Sequence, residues 1–228
     1  IGGTYGDFSV SALYSSATGG WRLRHEELDP FVLSQAFNLF VPGSGGGRFL
    51  HDNATATTTG AYTELDDPSV NNQENAILQV TRTPGSGTIV DFISPLMVNY
   101  FSGVWSVHRS DGGTMPALGG FHVYAQPPSV NAYRHRAGGS NISGHITDLD
   151  HPLLNGHPCA RVHVTQATDL VVINNHHIGV YYDHGVQRWS IFNQDFAAMA
   201  EGAQFHVVVD PQAVDCPIGL FRDGFEES

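Results

Sequence analysis

The sequence predicts an all-β protein made of tandem, small antiparallel β-sandwich or barrel repeats of about 84 residues. Three observations predict it. The tryptophans stand at 21, 105 and 189, two equal spacings of 84. The segments Phe-Asn-Leu-Phe-Val at 37–41, Phe-His-Val-Tyr-Ala at 121–125 and Phe-His-Val-Val-Val at 205–209 recur at the same spacing. Residues 51–126 slide onto 135–210 without a gap and are identical at 18 of 76 positions, which marks an internal duplication.

Within each copy the elements follow from alternation. Ala76, Leu78 and Val80, like Ala160, Val162 and Val164, point one way, while Gln79, Arg161 and His163 point the other. That is the period of a strand with one wet face. Trp189 and Ile191 alternate with Ser190 and Phe192, and Phe205, Val207 and Val209 with His206 and Val208. Strands are therefore expected near 57–65, 76–83, 94–98, 104–109 and 121–126, and again 84 residues later. No stretch holds a helical period over ten positions, and Gly 26 with Pro 12 supplies the turns.

The organisation that results is a half repeat (1–49), a full repeat (50–126), a linker (127–134), a second full repeat (135–210) and a tail (211–228). In the half repeat Phe8, Trp21 and Phe37 align with Phe92, Trp105 and Phe121, so only the second half of the pattern is represented. Its expected inward set is Val10, Ala12, Tyr14, Trp21, Leu23, Phe37, Leu39 and Val41. Left uncovered, such side chains favour strand supply from a neighbouring subunit or from the tail, and a head-to-tail homopolymer.

Composition narrows the function. A net charge of −12 disfavours nucleic acid and anionic membrane, which need clustered Lys and Arg. No apolar run reaches the roughly 18 residues of a membrane span, so no membrane insertion is expected. Charged residues make up 14% of the chain, low for a cytosolic protein. The chain starts at Ile1 rather than Met, which reads as a mature, secreted form. Cys159 and Cys216, the two cysteines, suit a disulfide in that setting. Protonating all 13 histidines would carry the charge from −12 to +1, so association is expected to strengthen from pH 7 toward 5.

The motifs Thr147-Asp-Leu-Asp-His-Pro-Leu-Leu-Asn-Gly-His-Pro, Asn174-Asn-His-His-Ile-Gly-Val-Tyr-Tyr-Asp and Arg188-Trp-Ser-Ile-Phe-Asn-Gln-Asp resemble a domain family of unknown function that occurs as tandem copies in secreted and surface bacterial proteins. The resemblance implies a secreted or cell-surface location and carries no catalytic assignment. Repeat 51–126 departs from it, with Val90-Asp-Phe-Ile in place of the Asn-Asn-His-His run. The closing Phe221-Arg-Asp-Gly-Phe-Glu resembles a short tail on exported gammaproteobacterial proteins.

Two loop clusters are the candidate sites. If strands run up and down, one end gathers Asp150, His151, His157, Asp183 and His184, a candidate metal set. The other gathers Asn174, Asn175, His176, His177, Gln194 and Asp195, a candidate binding set. Either could take Zn²⁺ or Cu²⁺ through imidazoles or Ca²⁺ through carboxylates. The simpler reading is that these loops bond their own backbone. No nucleophile elbow, His-Glu-x-x-His or phosphate loop occurs, so no catalytic residue is assigned. An outward Tyr181 could stack on a surface glycan. The expected function is that of an extracellular, non-catalytic structural or adhesive repeat protein. A secreted Cu- or Zn-dependent enzyme and a polysaccharide-binding module are the alternatives.

Overall fold

The structure is a computed structural model and describes residues 8–31, 36–42, 46–53, 57–84, 93–117 and 119–210. Every regular element among them is a strand. A first hairpin, β1 (Val10–Ser15) and β2 (Gly20–His25), precedes β3 (Gly47–Asp52), β4 (Thr58–Thr59), β5 (Tyr62–Leu65), β6 (Ile77–Thr83), β7 (Leu96–Phe101), β8 (Val104–Arg109) and β9 (Gly120–Gln126). The same series returns as β10 (Ala132–Arg136), β11 (Ile142–Ser143), β12 (Ile146–Leu149), β13 (Val162–Ala167), β14 (Ile178–Asp183), β15 (Arg188–Asn193) and β16 (Gln204–Val209). The expected strands are present. β3 and β10 were not anticipated, because Gly-Arg-Phe-Leu-His-Asp and Ala-Tyr-Arg-His-Arg are too polar to announce a strand. They form by pairing along β9 and β16.

Three sheets result, in the orders β2-β1-β6-β9-β3, β10-β16-β13-β7-β8-β5-β4 and β11-β12-β15-β14. Pairing inside a repeat is antiparallel. The seams between repeats are parallel, β1 to β6 at Ser11↔Arg82 and β7 to β13 at Ala167↔Val98. The first two sheets therefore each join the hairpin of one repeat to three strands of the next, while the third holds four strands of the last repeat.

Each full repeat closes its own sandwich. Leu65, Leu78, Val98, Trp105, Val107 and Phe121 form one core, and Leu149, Val162, Trp189, Ile191, Phe205 and Val207 the other. In both, the indole N–H donates to a loop carbonyl, Trp105 to Gln73 and Trp189 to His157, at 2.9 Å. Positions identical between the repeats make identical bonds: His51 with Thr63 and His135 with Thr147, Asn71 to Asp66 and Asn155 to Asp150. The backbone repeats too. Positive φ occurs at Gly19, Gly103 and Gln187, and at Leu28, Gly112 and Phe196, each set spaced by 84. At Ser102-Gly103 two positive φ values in succession make the two-residue turn between β7 and β8, the kind that matches strand twist.

Equivalent residues of different repeats also meet. Ser9 Oγ donates to the Ile93 carbonyl at 3.0 Å and lies 3.4 Å from His177 Nδ1. The Phe40 ring lies 5.2 Å from Tyr124 and packs on Val208. The Leu78 N–H donates to His206, while Asn38 donates to the Val162 carbonyl, which joins the equivalent pair of positions with donor and acceptor exchanged. The three repeats thus stand around a pseudo-threefold axis.

That arrangement corrects the one-sided reading of the strands. Ser190, Phe192, His206 and Val208, expected on the wet face, are buried: His206 and Val208 turn toward the preceding repeat, against Leu78 and Ile77, while Ser190 bonds Asp148 and Phe192 packs on Tyr181 within their own repeat. The half repeat corrects a second expectation. Residues 36–42 form no strand. Their counterparts β9 and β16 are each held between two strands of the first half of a repeat, and no such strands flank 36–42 among the described residues.

Candidate functional site

The two loop clusters lie where the up-and-down order of strands puts them. At the first end, Gly156 N–H donates to the Gln187 carbonyl and Arg188 reaches Asp150 at 3.4 Å, so loop 150–159 and turn 184–187 are neighbours. Their side chains serve their own loops. Asp150 accepts from Asn155 at 2.7 Å, and Asp183 accepts the Gly185 N–H at 2.7 Å. His151 stacks on Tyr133 with ring centres 4.4 Å apart, His184 meets Tyr182 edge-on, and His157 supplies the carbonyl that caps Trp189. Among the described residues no group of three or more His, Cys, Asp or Glu is gathered that could hold a metal ion. Cys216 lies outside the described residues, and with it the expected pairing to Cys159.

The second cluster is a junction of all three repeats. Asn174 donates to Gln166 and Asn193, and Asn175 accepts from Ser110 at 2.8 Å. Gln194 donates to the Ile178 carbonyl at 3.0 Å and accepts from the Phe8 N–H. His177 faces Ser9. Toward solvent, His176 Nδ1 meets Asp195 Oδ2 at 2.6 Å, each side chain about a third exposed. Partial desolvation pushes the Asp195 carboxyl up, but the Ala197 N–H and the His176 ring outweigh it and hold it below the usual range.

Beside this junction the hairpin starts, with β6 and β13, line an open pocket of about 220 Å³, whose polar lining includes Ser9, Thr81, Arg82, Thr165, Gln166 and His177. Sequence reasoning missed it. The signal available was the basic residue at 82, matched by Gln166, inside an expected strand. Arg82 donates to the Ser94 carbonyl. Burial lowers its pKa to about 9, with Glu26 opposing, so it is charged at neutral pH. Alongside, Arg109 grips Asp111 through two bonds of 2.9 and 2.6 Å, and Ser94 Oγ donates to the same carboxylate at 2.5 Å. That grip, chiefly the Arg109 bond, holds the Asp111 carboxyl far below its ordinary range.

Chemically the junction binds the chain to itself. His176 pairs with the Asp195 carboxylate, and His177 meets the Ser9 hydroxyl.

Fold and junction together define an all-β tandem-repeat protein whose repeats share sheets and meet on an axis. The chain belongs to the family described as a domain of unknown function (DUF7452), which matches residues 11–117 and 97–209. Each match starts in the hairpin of one repeat and runs on into the next. No curated protein and no solved structure matches the chain.

Proposed function

We propose that the protein is an extracellular, non-catalytic structural or adhesive repeat protein that associates with itself, head to tail, through its half repeat. One observation carries this reading. Trp21 and Tyr14 are 64% and 57% exposed, whereas their counterparts Trp105, Trp189, Val98 and Tyr182 are all below 10%. The two rings touch each other edge-on, 5.8 Å between centres, and continue toward His122. A paired, exposed Trp and Tyr on a β-hairpin is the surface type that marks protein contacts. The donor and acceptor faces of the chain differ, so a contact of this kind propagates rather than closes.

Sedimentation velocity tests it. The intact chain is expected to grow in size with concentration, and a Tyr14→Glu, Trp21→Glu double variant to stay monomeric with an unchanged far-ultraviolet spectrum. A monomeric intact chain at the highest attainable concentration overturns the reading, as does assembly that ignores the two substitutions.

A further inference from the structure

The bare face of the half repeat has a definite shape, because the same face is seen covered twice. Over β7 and β8 the cover consists of β5, the loop 66–76 and β6, which contribute Leu65, Val70, Ala76 and Leu78 to the core. Over β14 and β15 it consists of β12, the loop 150–161 and β13, contributing Leu149, Leu154, Ala160 and Val162. The cover does three things at once. It flanks the second hairpin strand, β5 along β8 and β12 along β15. It seals the indole with a loop carbonyl. Its last strand flanks the closing strand of the repeat, β6 along β9 and β13 along β16.

All three services are missing around the first hairpin among the described residues. β2 has β1 as its strand neighbour and none corresponding to β5. Trp21 has no loop corresponding to 66–76. Leu39 and Val41 are 62% and 89% exposed where Val123, Ala125, Val207 and Val209 are at most 3%. The third sheet agrees from the other side. It stops at β14, whereas the equivalent strands β1 and β7 each continue, in parallel, into a β6-type strand. The contacts of Ser9 with His177 and of Asn38 with the Val162 carbonyl bring these places together around one axis.

We infer that the half repeat is a docking site for a polypeptide segment of the first-half-repeat pattern: a β5-type strand, an Asp-x-Pro loop and a β6-type strand with small and branched apolar residues alternating. This deepens the proposed function, since it names the occupant of the surface on which that reading rests. Seated there, the segment pairs β2 with its first strand and gives Trp21 Nε1 a carbonyl. Its last strand pairs 36–42 and completes a third sandwich. Apolar burial and backbone pairing would both drive the docking, as in strand addition generally. A second copy of the chain holds its own two such segments inside its cores. It can offer one only by opening a sandwich, so a free segment competes well against a second copy.

The probe is a synthetic peptide copying residues 131–168, with Cys159→Ser, added to the full chain. It contains no tryptophan, and Trp21 is the exposed indole of the three, so the fluorescence reads the site directly. The peptide is expected to shift the emission to the blue, to abolish most acrylamide quenching, and to protect the amides of 20–25 and 36–42 from hydrogen exchange. It is also expected to disperse any assemblies. Trp21→Glu is expected to weaken binding while the two full repeats keep their protection. A saturating peptide that changes neither fluorescence nor exchange overturns the inference, and so does equal binding of a scrambled peptide or undiminished binding to Trp21→Glu. A chain that is monomeric yet takes the peptide upholds the docking site and sinks only self-association. A chain that assembles yet ignores the peptide does the reverse.

Discussion

Acid should unfold this protein well above the pH at which carboxylates titrate, and three deeply buried histidines carry the largest share of the effect; burial also lowers His51, His108, His122 and His151, which add to it in the same sense. Burial lowers His135 and His163 to about 4 and His206 to about 3. His206 shows why. Its Nδ1 accepts the Leu78 N–H at 3.0 Å, so that nitrogen must be unprotonated in the fold, and Arg134 nearby opposes a second positive charge. His135 binds Thr147 at 2.8 Å, and His163 sits against Phe40 with ring centres 5.2 Å apart. In the unfolded chain each would titrate near ~6.5. Lowered folded pKa values mean that the unfolded state binds more protons below that point, so stability falls as pH falls. The loss begins near 6.5 and continues until the folded values near 4 and 3 are reached. At pH 5 each ring has lost about 1.5 units of free proton uptake, roughly 2 kcal/mol, and the three together roughly 6 kcal/mol. Domains are stable by about 5–15 kcal/mol, so the melting temperature should drop by roughly 12–24 °C between pH 7.5 and 5. Asp111, whose carboxyl is also held low, acts in the same sense, but its loss begins only around the unfolded carboxylate range near ~3.9 and below, outside this window. Thermal melts in dilute solution read the slope, and His163→Leu should make it shallower by roughly 2 kcal/mol over this range. A melting temperature flat from pH 7.5 to 5, or a His163→Leu slope equal to that of the intact chain, would refute the reasoning.

The three tryptophans should separate cleanly on truncation: Trp189→Ala should cost about 3–5 kcal/mol in chemical denaturation, and Trp21→Ala within about 0.5 kcal/mol. Equal losses at the two positions would mean that the half repeat is sealed after all. Cys159 and Cys216 are proposed to form a disulfide worth about 2–4 kcal/mol, and mass spectrometry of unreduced peptides should find the linked pair rather than two alkylated thiols.

Much of the fold was legible because a duplication compares the chain with itself. The spacing of Trp21, Trp105 and Trp189 gives the period, and alternation in 76–80 and 205–209 gives the faces of β6 and β16. What alternation could not reveal is that the second face is buried as well. His206 and Ser190 look solvent-directed by residue type, but each has an internal partner, Leu78 for one and Asp148 for the other. The parallel seams were hidden because they join β1 to β6 and β7 to β13, strands from different repeats with no turn between them to read. The candidate binding set was recognisable as neighbours, since Gln194 N–H donates to the His177 carbonyl. Its partners Ser110 and Phe8 were not, lying 65 and 186 residues away in sequence.

The same logic explains which positions the repeats share and which they do not. A hydrogen bond closed inside one repeat, such as that of the Trp105 indole or of His51, can be copied unchanged into the next, where Trp189 and His135 make the same bonds. A residue at the pseudo-threefold axis meets its own counterparts. A buried cation present in every copy would face another cation in a medium where unit charges a few ångströms apart repel by several kcal/mol. Divergence is therefore required there. Arg82 is answered by Gln166 in the next repeat, and its charge is balanced by Glu26 and Asp111 rather than by residues of its own strand. Ser9, Ile93 and His177 occupy one equivalent position with a donor, a carbonyl that accepts from it, and an imidazole. The axis is thus the part of the protein where three copies of one pattern were forced apart. Its mixed chemistry follows from symmetry before any ligand is invoked.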